Sequence, residues 1–246
     1  MKKIFFSHTP KCGGTYLCTG LSNYFLDYET AVGYGGPTGD ESYQNEHFDN
    51  FKFINFGENE RYKGPPKNLI DNIDKFKFLS CHYLTNYEKH FCNDNFIVIK
   101  NFREPFHFFR SIFLHTLRDQ KYLNIDLENY FTNWSIYAFG PDYFIDSLKN
   151  LNIDSTYNYF LKDTFNKIDK KYDYLVETED LPQFLNYFVS KYKLEKKRHK
   201  HKPVKNISYF DKMKYLFDDR IKNKFKKYFT KDYDIYEQLV SKKWRI

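Results

Sequence analysis

Apolar positions along this chain change period from one segment to the next. Ile4 to Ser7 is a short apolar run that begins almost at the first residue. Phe76–Ser80 is a second such run. Phe96–Asn101 is the clearest, with Phe-Ile-Val-Ile bounded by polar residues. Runs this short, closed by turn signals at both ends, predict buried strands. Tyr172–Val176 predicts another, and Phe51–Phe56 a further one. The latter lies inside a stretch from about Glu29 to Pro66, which otherwise reads as an irregular excursion because it holds Gly33, Gly35-Gly36-Pro37 and Gly39. Between the strands the spacing becomes helical. Leu17, Leu21, Tyr24 and Phe25 mark one helix from Tyr16 to about Leu26, and another follows Arg103-Glu104-Pro105 to about Leu117. Helical patterns continue over Leu127–Phe139, Tyr143–Leu151 and Thr156–Ile168, after Asp180-Leu181-Pro182, and in the charge-rich region from Asp211 onward. Strands alternating with helices predict an α/β fold, a central and mainly parallel sheet covered on both faces, followed by a helical C-terminal part.

Composition narrows this picture a little. A chain of 246 residues with 41% hydrophobic positions can bury one large core, so a single domain over 1–246 is expected. Phe and Tyr number 27 and 23 against 10 Gly and 2 Trp, a bias that places most aromatics in the core rather than in a special site. The net charge of +7 suits an anionic ligand without being a nucleic-acid signature. Its densest basic run, Lys196-Lys197-Arg198-His199-Lys200-His201-Lys202, reads first as a solvated loop and second as an attractor of an anionic donor or acceptor. The N-terminus carries no signal-peptide core, and no apolar span of roughly 18 residues follows, so a cytoplasmic location without a membrane span is expected. Cys12, Cys18, Cys81 and Cys92 are too few and too irregular for a disulfide framework and are expected as free thiols. Cys81-His82 with His90 and Cys92 lacks the spacing of a zinc site, and no metal is expected.

The first strand runs directly into Thr9-Pro10-Lys11-Cys12-Gly13-Gly14-Thr15 and then into a helix. Glycines let several backbone N–H groups turn toward one point, and the helix N-terminus adds about half a positive charge there. Lys11 supplies a full charge beside this nest and Thr15 a hydroxyl. A Gly-Gly pair alone would read as a tight strand–helix connection. Its place after the first strand, between Lys and Thr, favours an anion cradle. The lysine precedes the glycines, so this is not the Gly-Lys-[Ser/Thr] loop of ATPases and kinases.

Ser7-His8-Thr9-Pro10-Lys11-Cys12-Gly13-Gly14-Thr15 resembles the His-Ile-Pro-Lys-Thr-Gly-Gly-Thr-Ser loop of carbohydrate sulfotransferases, the group that includes heparan sulfate 2-O- and 6-O-sulfotransferases. Cys12 stands where Thr is usual and Tyr16 where Ser is usual. The resemblance implies a P-loop-like three-layer fold, with Lys11, Cys12, Gly13, Gly14, Thr15 and Tyr16 at the 5′-phosphosulfate of the donor PAPS (3′-phosphoadenosine 5′-phosphosulfate). A second match is the strand Phe96–Asn101 with Phe102-Arg103-Glu104-Pro105 and Phe109-Arg110-Ser111. It is similar to the family's strand, Arg-Asp-Pro and helical Ser, which implies that Arg103 and Ser111 hold the 3′-phosphate of PAPS. Tyr172–Leu181 is similar to the late strand ending in Thr-Glu. Lys205-Asn206-Ile207-Ser208 is similar to the loop that closes over the nucleotide, so Lys205, Asn206 and Ser208 join the donor site. Asp232-Tyr233-Asp234-Ile235-Tyr236 is similar to the terminal Asp-Tyr-x-x-Tyr. These matches keep the family's order from residue 7 to residue 236.

Sulfuryl transfer resembles phosphoryl transfer in needing in-line geometry and charge stabilisation. Lys11 is placed to stabilise the leaving phosphate oxygen. His82, after the strand Phe76–Ser80 and within Ser80-Cys81-His82-Tyr83, matches the base position of the 2-O-sulfotransferases and is the expected general base. His8 is expected to brace the loop. The expected activity is therefore sulfuryl transfer from PAPS to a hydroxyl, with PAP as product, and the resemblance implies a carbohydrate acceptor. Neither nucleic acid nor metal is part of this reading. Two alternatives stay open: a nucleotide-dependent kinase on a similar fold, and a non-catalytic module that binds PAP or another anion.

Overall fold

The short apolar runs become strands that pair side by side in the computed structural model, which describes residues 2–9, 11–33, 52–53, 67–82, 90–111, 172–197 and 218–245. The strands are β1 (Lys3–His8), β2 (Thr30–Gly33), β3 (Lys52–Phe53), β4 (Phe78–His82), β5 (Phe96–Phe102) and β6 (Tyr174–Glu177). They form a six-stranded sheet in the order β3-β2-β4-β1-β5-β6, and each pairing is parallel. Among the described helices are α1 (Gly14–Ser22), α2 (Lys67–Asp71), α3 (described over 105–111), α4 (Leu181–Lys191), α5 (Asp219–Tyr228) and α6 (Thr230–Lys242). The chain divides into two compact units. One comprises Met1–Phe102, Asn166–Lys205 and Lys242–Ile246; the other comprises Arg103–Phe165 and Asn206–Ser241.

The first unit holds the whole sheet, and strand periodicity explains its layers. Successive side chains of a strand point to opposite faces. Ile4 and Phe6 of β1 therefore join Ile97 and Ile99 of β5 on one face, where Leu17, Cys18 and Leu21 of α1 and Phe184, Leu185 and Phe188 of α4 cover them. Phe5, with Phe96 and Val98, points to the other face and packs on Leu69 of α2 and on Phe91. Both faces are covered, which is why the strands read as continuous apolar runs instead of alternating ones. Each fully buried Phe or Ile contributes about 1.5–3 kcal/mol relative to exposure. The α/β class, the parallel sheet and the cover on both faces agree with the sequence expectation.

One strand does not. Thr30–Gly33 falls in the stretch read as irregular, yet it pairs with β4 through Thr30↔Phe78 and Gly33↔Cys81. A turn places it: Glu29 accepts from the Leu26 N–H (3.0 Å) and pairs with Lys77, while the Thr30 hydroxyl donates to the Leu26 carbonyl (3.0 Å). The edge of β4 then supplies the ladder that Ala31 and Val32 alone could not specify.

In the second unit, α5 buries Ile221 and Phe225, and Phe225 packs with Phe106, Phe109 and Phe229. Asp218 caps α5 by accepting from the Ile221 N–H at 3.1 Å. The expected C-terminal helices are thus present from 219 to 242. Leu127–Phe139, Tyr143–Leu151 and Thr156–Ile168 lie outside the described residues. Among the described residues, no helix is long and apolar enough to cross a membrane. Cys12 and Cys18 are buried free thiols and Cys92 is a half-buried one. Burial pushes the Cys18 thiol up to about 12, against a smaller opposing hydrogen bond from Ser80, so it stays an unreactive thiol.

Candidate functional site

Sheet order decides where a ligand can approach the first unit. The chain leaves β1 toward β2, beyond β4, whereas β5 leads outward to β6 on the other side. Connections diverge at the carboxyl ends of β1 and β5, the switch point at which open parallel sheets bind ligands. The loop after β1 emerges there.

This loop is held in an unusual backbone. Lys11 has φ 58° and Gly13 has φ 73°, both in the left-handed region. Glycine adopts that region without penalty, but for lysine it costs on the order of 1–2 kcal/mol. Such strain persists only where the surroundings over-determine it. The surroundings here are Asn101, fully buried in β5. Its amide oxygen accepts from the Thr9 N–H at 2.7 Å and its amide nitrogen donates to the Cys12 carbonyl at 2.7 Å. One side chain thereby clamps both ends of the turn that contains Lys11. The two bonds also fix which way the amide points.

Gly14 opens α1, and Gly13 is its N-cap, with no side-chain cap bond and no acidic residue in the first turn. A helix N-terminus presents N–H groups without intrahelical acceptors and a partial positive charge. Nothing negative from α1 competes for them. Close packing explains why glycine stands at 14: a Cβ there would lie 1.7 Å from the His8 ring. His8 is buried and stacks on Phe6 with ring centroids 5.6 Å apart, so the imidazole is the wall against which the loop closes. This agrees with the bracing role read from the sequence. At Gly13 a Cβ would meet Leu181 Cδ1 at 2.7 Å and Thr178 Cγ2 at 3.2 Å. The Thr178 hydroxyl in turn donates to the Phe102 carbonyl at 3.0 Å, so the segment after β6 packs on the same loop.

Gly14→Ala therefore forces His8 off its Phe6 stack. We expect a loss of about 1–3 kcal/mol from overpacking, read as a lower urea midpoint, with part of it recovered in His8→Ala/Gly14→Ala. Equal stability of Gly14→Ala and the parent would contradict the packing of this loop.

Of the residues singled out by sequence, Lys11, Cys12, Gly13, Gly14, Thr15 and Tyr16 come together on this loop and the first turn of α1. Cys12 and Thr15 are buried; Lys11 and Tyr16 are half-buried. His82 does not follow its strand but is the last residue of β4, in backbone register with His8 on the neighbouring β1. Arg103 and Ser111 belong to the second unit, Arg103 immediately after β5 and Ser111 on α3. Lys205, Asn206 and Ser208 lie outside the described residues. Lys196 and Lys197 of the basic run are described; the Lys197 N–H donates to the Asn23 carbonyl at 2.8 Å and its ammonium pairs with Glu195 at 3.2 Å.

Two residues escaped sequence reading. Asn101 read only as the polar end of a buried strand. The signal that could have singled it out is an amide inside an apolar run, because a buried amide needs partners. Lys100, beside it, is also buried, and its ammonium donates to the Ser7 hydroxyl at 3.0 Å across the β1–β5 pair. A cation at the carboxyl end of a central strand adds positive potential to that edge of the sheet.

The second unit has its own polar centre. Glu104 is the N-cap of α3. Its side chain accepts from the His107 N–H at 2.9 Å, and its carbonyl accepts from the Phe108 N–H at 2.9 Å. Pro105 occupies the first helical position, where its missing N–H costs nothing. The Tyr233 hydroxyl donates to Glu104, and the Lys222 ammonium lies 3.3 Å from the same carboxylate. Two segments noted in the sequence, Arg-Glu-Pro and Asp-Tyr-x-x-Tyr, are thus bonded to each other.

His107 beside this carboxylate carries a pH signature. Burial pushes its imidazole from 6.5 down to about 4; Glu104 opposes the shift, and Arg110, Lys222 and Arg103 reinforce it. The unfolded chain then binds the extra proton first. Stability is lost as pH falls from about 6.5 toward 4 and levels off below that. His107→Gln should flatten that window in melting curves taken between pH 4 and 7. A parent-like acid slope in the variant would show that His107 is not its source.

No family model, no curated protein and no solved structure matches this chain. Among the described residues, no group of three or more His, Cys, Asp or Glu is gathered as a metal ion would require.

Proposed function

We propose that this chain is a P-loop-like sulfotransferase that moves a sulfuryl group from PAPS to an acceptor hydroxyl, with a carbohydrate as the acceptor class. The observation that carries the reading is the clamped loop: a helix N-terminus without a side-chain cap and a left-handed Lys11 and Gly13, set at the switch point of a parallel sheet. Such a site suits the phosphosulfate end of a nucleotide.

In the reaction, the acceptor oxygen forms a bond to sulfur while the bond from sulfur to the 5′-phosphate oxygen breaks in line. Lys11 and the backbone N–H groups stabilise the charge that gathers on the departing PAP. The acceptor proton passes to His82, the base that the resemblance assigns. Its backbone position at the end of β4, next to His8 in the register, supports a place at the same edge of the sheet as the loop. The resemblance gives the 3′-phosphate to Arg103 and Ser111, and the nucleotide-covering role to Lys205, Asn206 and Ser208.

Thermal-shift titration separates this reading from a kinase. PAP at a hundredfold excess over its Kd should stabilise the protein by about 2.7 kcal/mol, with ATP weaker and magnesium without effect. A preference for ATP with magnesium would overturn the proposal. PAP binding with no sulfuryl transfer from PAPS across a panel of glycans would leave only a binding module.

A further inference from the structure

The polar centre of the second unit has more partners than a helix cap needs. A cap requires one acceptor for one N–H near the helix start, and the bond from Glu104 to the His107 N–H meets that need. Glu104 is nonetheless buried, with Tyr233 of α6 donating to its other oxygen and Lys222 of α5 lying 3.3 Å from that same oxygen. Tyr233, 129 residues away in the chain, is itself buried. Burial holds its phenol well above the usual range, with the Glu104 hydrogen bond adding to the effect, so it stays a donor at any working pH. Phe225 and Phe229 pack around the contact from α5 and its C-terminal end, against Phe106 and Phe109 of α3. A buried carboxylate is stable only while such donors remain.

Glu104 is the residue next to Arg103. Fixing its backbone and side chain fixes where the Arg103 side chain departs from the main chain. We infer that Tyr233 is a positioning residue for the 3′-phosphate of the donor, acting through Glu104 on Arg103, with Lys222 as a second tether. The inference rests on the sulfotransferase reading, which gives Arg103 the 3′-phosphate. On this view α5 and α6 are a brace for an anion-gripping arginine. The link is local: Tyr233 touches no substrate, and its loss matters only for a ligand that carries the 3′-phosphate.

That restriction supplies the test. PAP and 5′-AMP differ by the 3′-phosphate alone, so calorimetric titration of both reads the Arg103 contact directly. Tyr233→Phe should weaken PAP about tenfold, within the range that coupled residues of one hydrogen-bond network show, and leave AMP unchanged. Arg103→Ala should remove most of the preference for PAP over AMP, leaving only what Ser111 contributes, and adding Tyr233→Phe to it should change neither ligand further. If Tyr233→Phe shifts PAP and AMP alike, or shifts neither, the brace is merely structural and the inference fails while the sulfotransferase reading stands. If the parent protein does not prefer PAP over AMP, or Arg103→Ala keeps the parent's full preference, the reading of Arg103 fails and takes the inference with it. Should Tyr233→Phe fold poorly, Lys222→Met tests the same carboxylate from α5, with a smaller PAP-specific loss expected and equal loss for both ligands as the overturning result.

Discussion

His82→Ala is expected to lower turnover by about 10²–10⁴, the span for removal of a general base, while PAP affinity should stay within about twofold of the parent. Only the second half of that result separates a base from a packing residue. A base acts on the acceptor proton in the transition state, so its loss lowers kcat and kcat/KM together and spares the binding of the product nucleotide. The structural ground is the sheet register. His82 ends β4 opposite His8, and β1 runs from His8 into the loop that holds Lys11 and Gly13. A histidine at that edge is one strand away from the loop that would hold the leaving group. The measurement is a pair of experiments, steady-state transfer from PAPS and PAP titration of the same variant. Parent-like turnover removes His82 from the mechanism. A parallel collapse of PAP binding would assign it to the architecture of the strand end.

Asn101→Ala is expected to cost about 2–6 kcal/mol in urea unfolding, because it strips partners from two buried backbone groups, the Thr9 N–H and the Cys12 carbonyl. A buried group left unsatisfied costs about 1–3 kcal/mol. Asn101→Asp divides the effect. Its carboxylate still accepts from Thr9 but cannot donate to the Cys12 carbonyl, and it places a negative charge beneath the proposed anion cradle. We expect Asn101→Asp to lose at least about tenfold in PAP affinity, about the cost of one hydrogen bond to a buried group. Retention of both stability and affinity in Asn101→Asp would mean that the clamp does not hold the loop.

Much of the architecture was legible in the sequence for a plain reason: strands buried on both faces must be apolar throughout. Ile4 to Ser7, Phe76 to Ser80 and Phe96 to Asn101 announced β1, β4 and β5 within two residues at either end. The turn after β1 was legible because Pro10, Gly13 and Gly14 follow a strand end and precede a helical pattern. The start of α1 was placed two residues late, at Tyr16 instead of Gly14. Glycine is a poor helix former, and only the contact with His8 requires it there. Thr30–Gly33 was missed as a strand, since four residues with two small apolar side chains carry no period of their own.

Local chemistry belongs to the sequence: which long apolar runs are buried strands, where glycines let the chain turn, and which residues are able to donate, accept or carry charge. Partnership belongs to the tertiary structure. Nothing in the chain order joins Asn101 to Thr9 and Cys12, Lys100 to Ser7, or Tyr233 to Glu104, pairs separated by roughly ninety residues or more. Hydrogen bonds reach only about 3 Å. Their pairing is therefore set by which strands lie side by side and which helices pack together, and that order is decided by burying both faces of the sheet and the aromatic surfaces of α3 and α5.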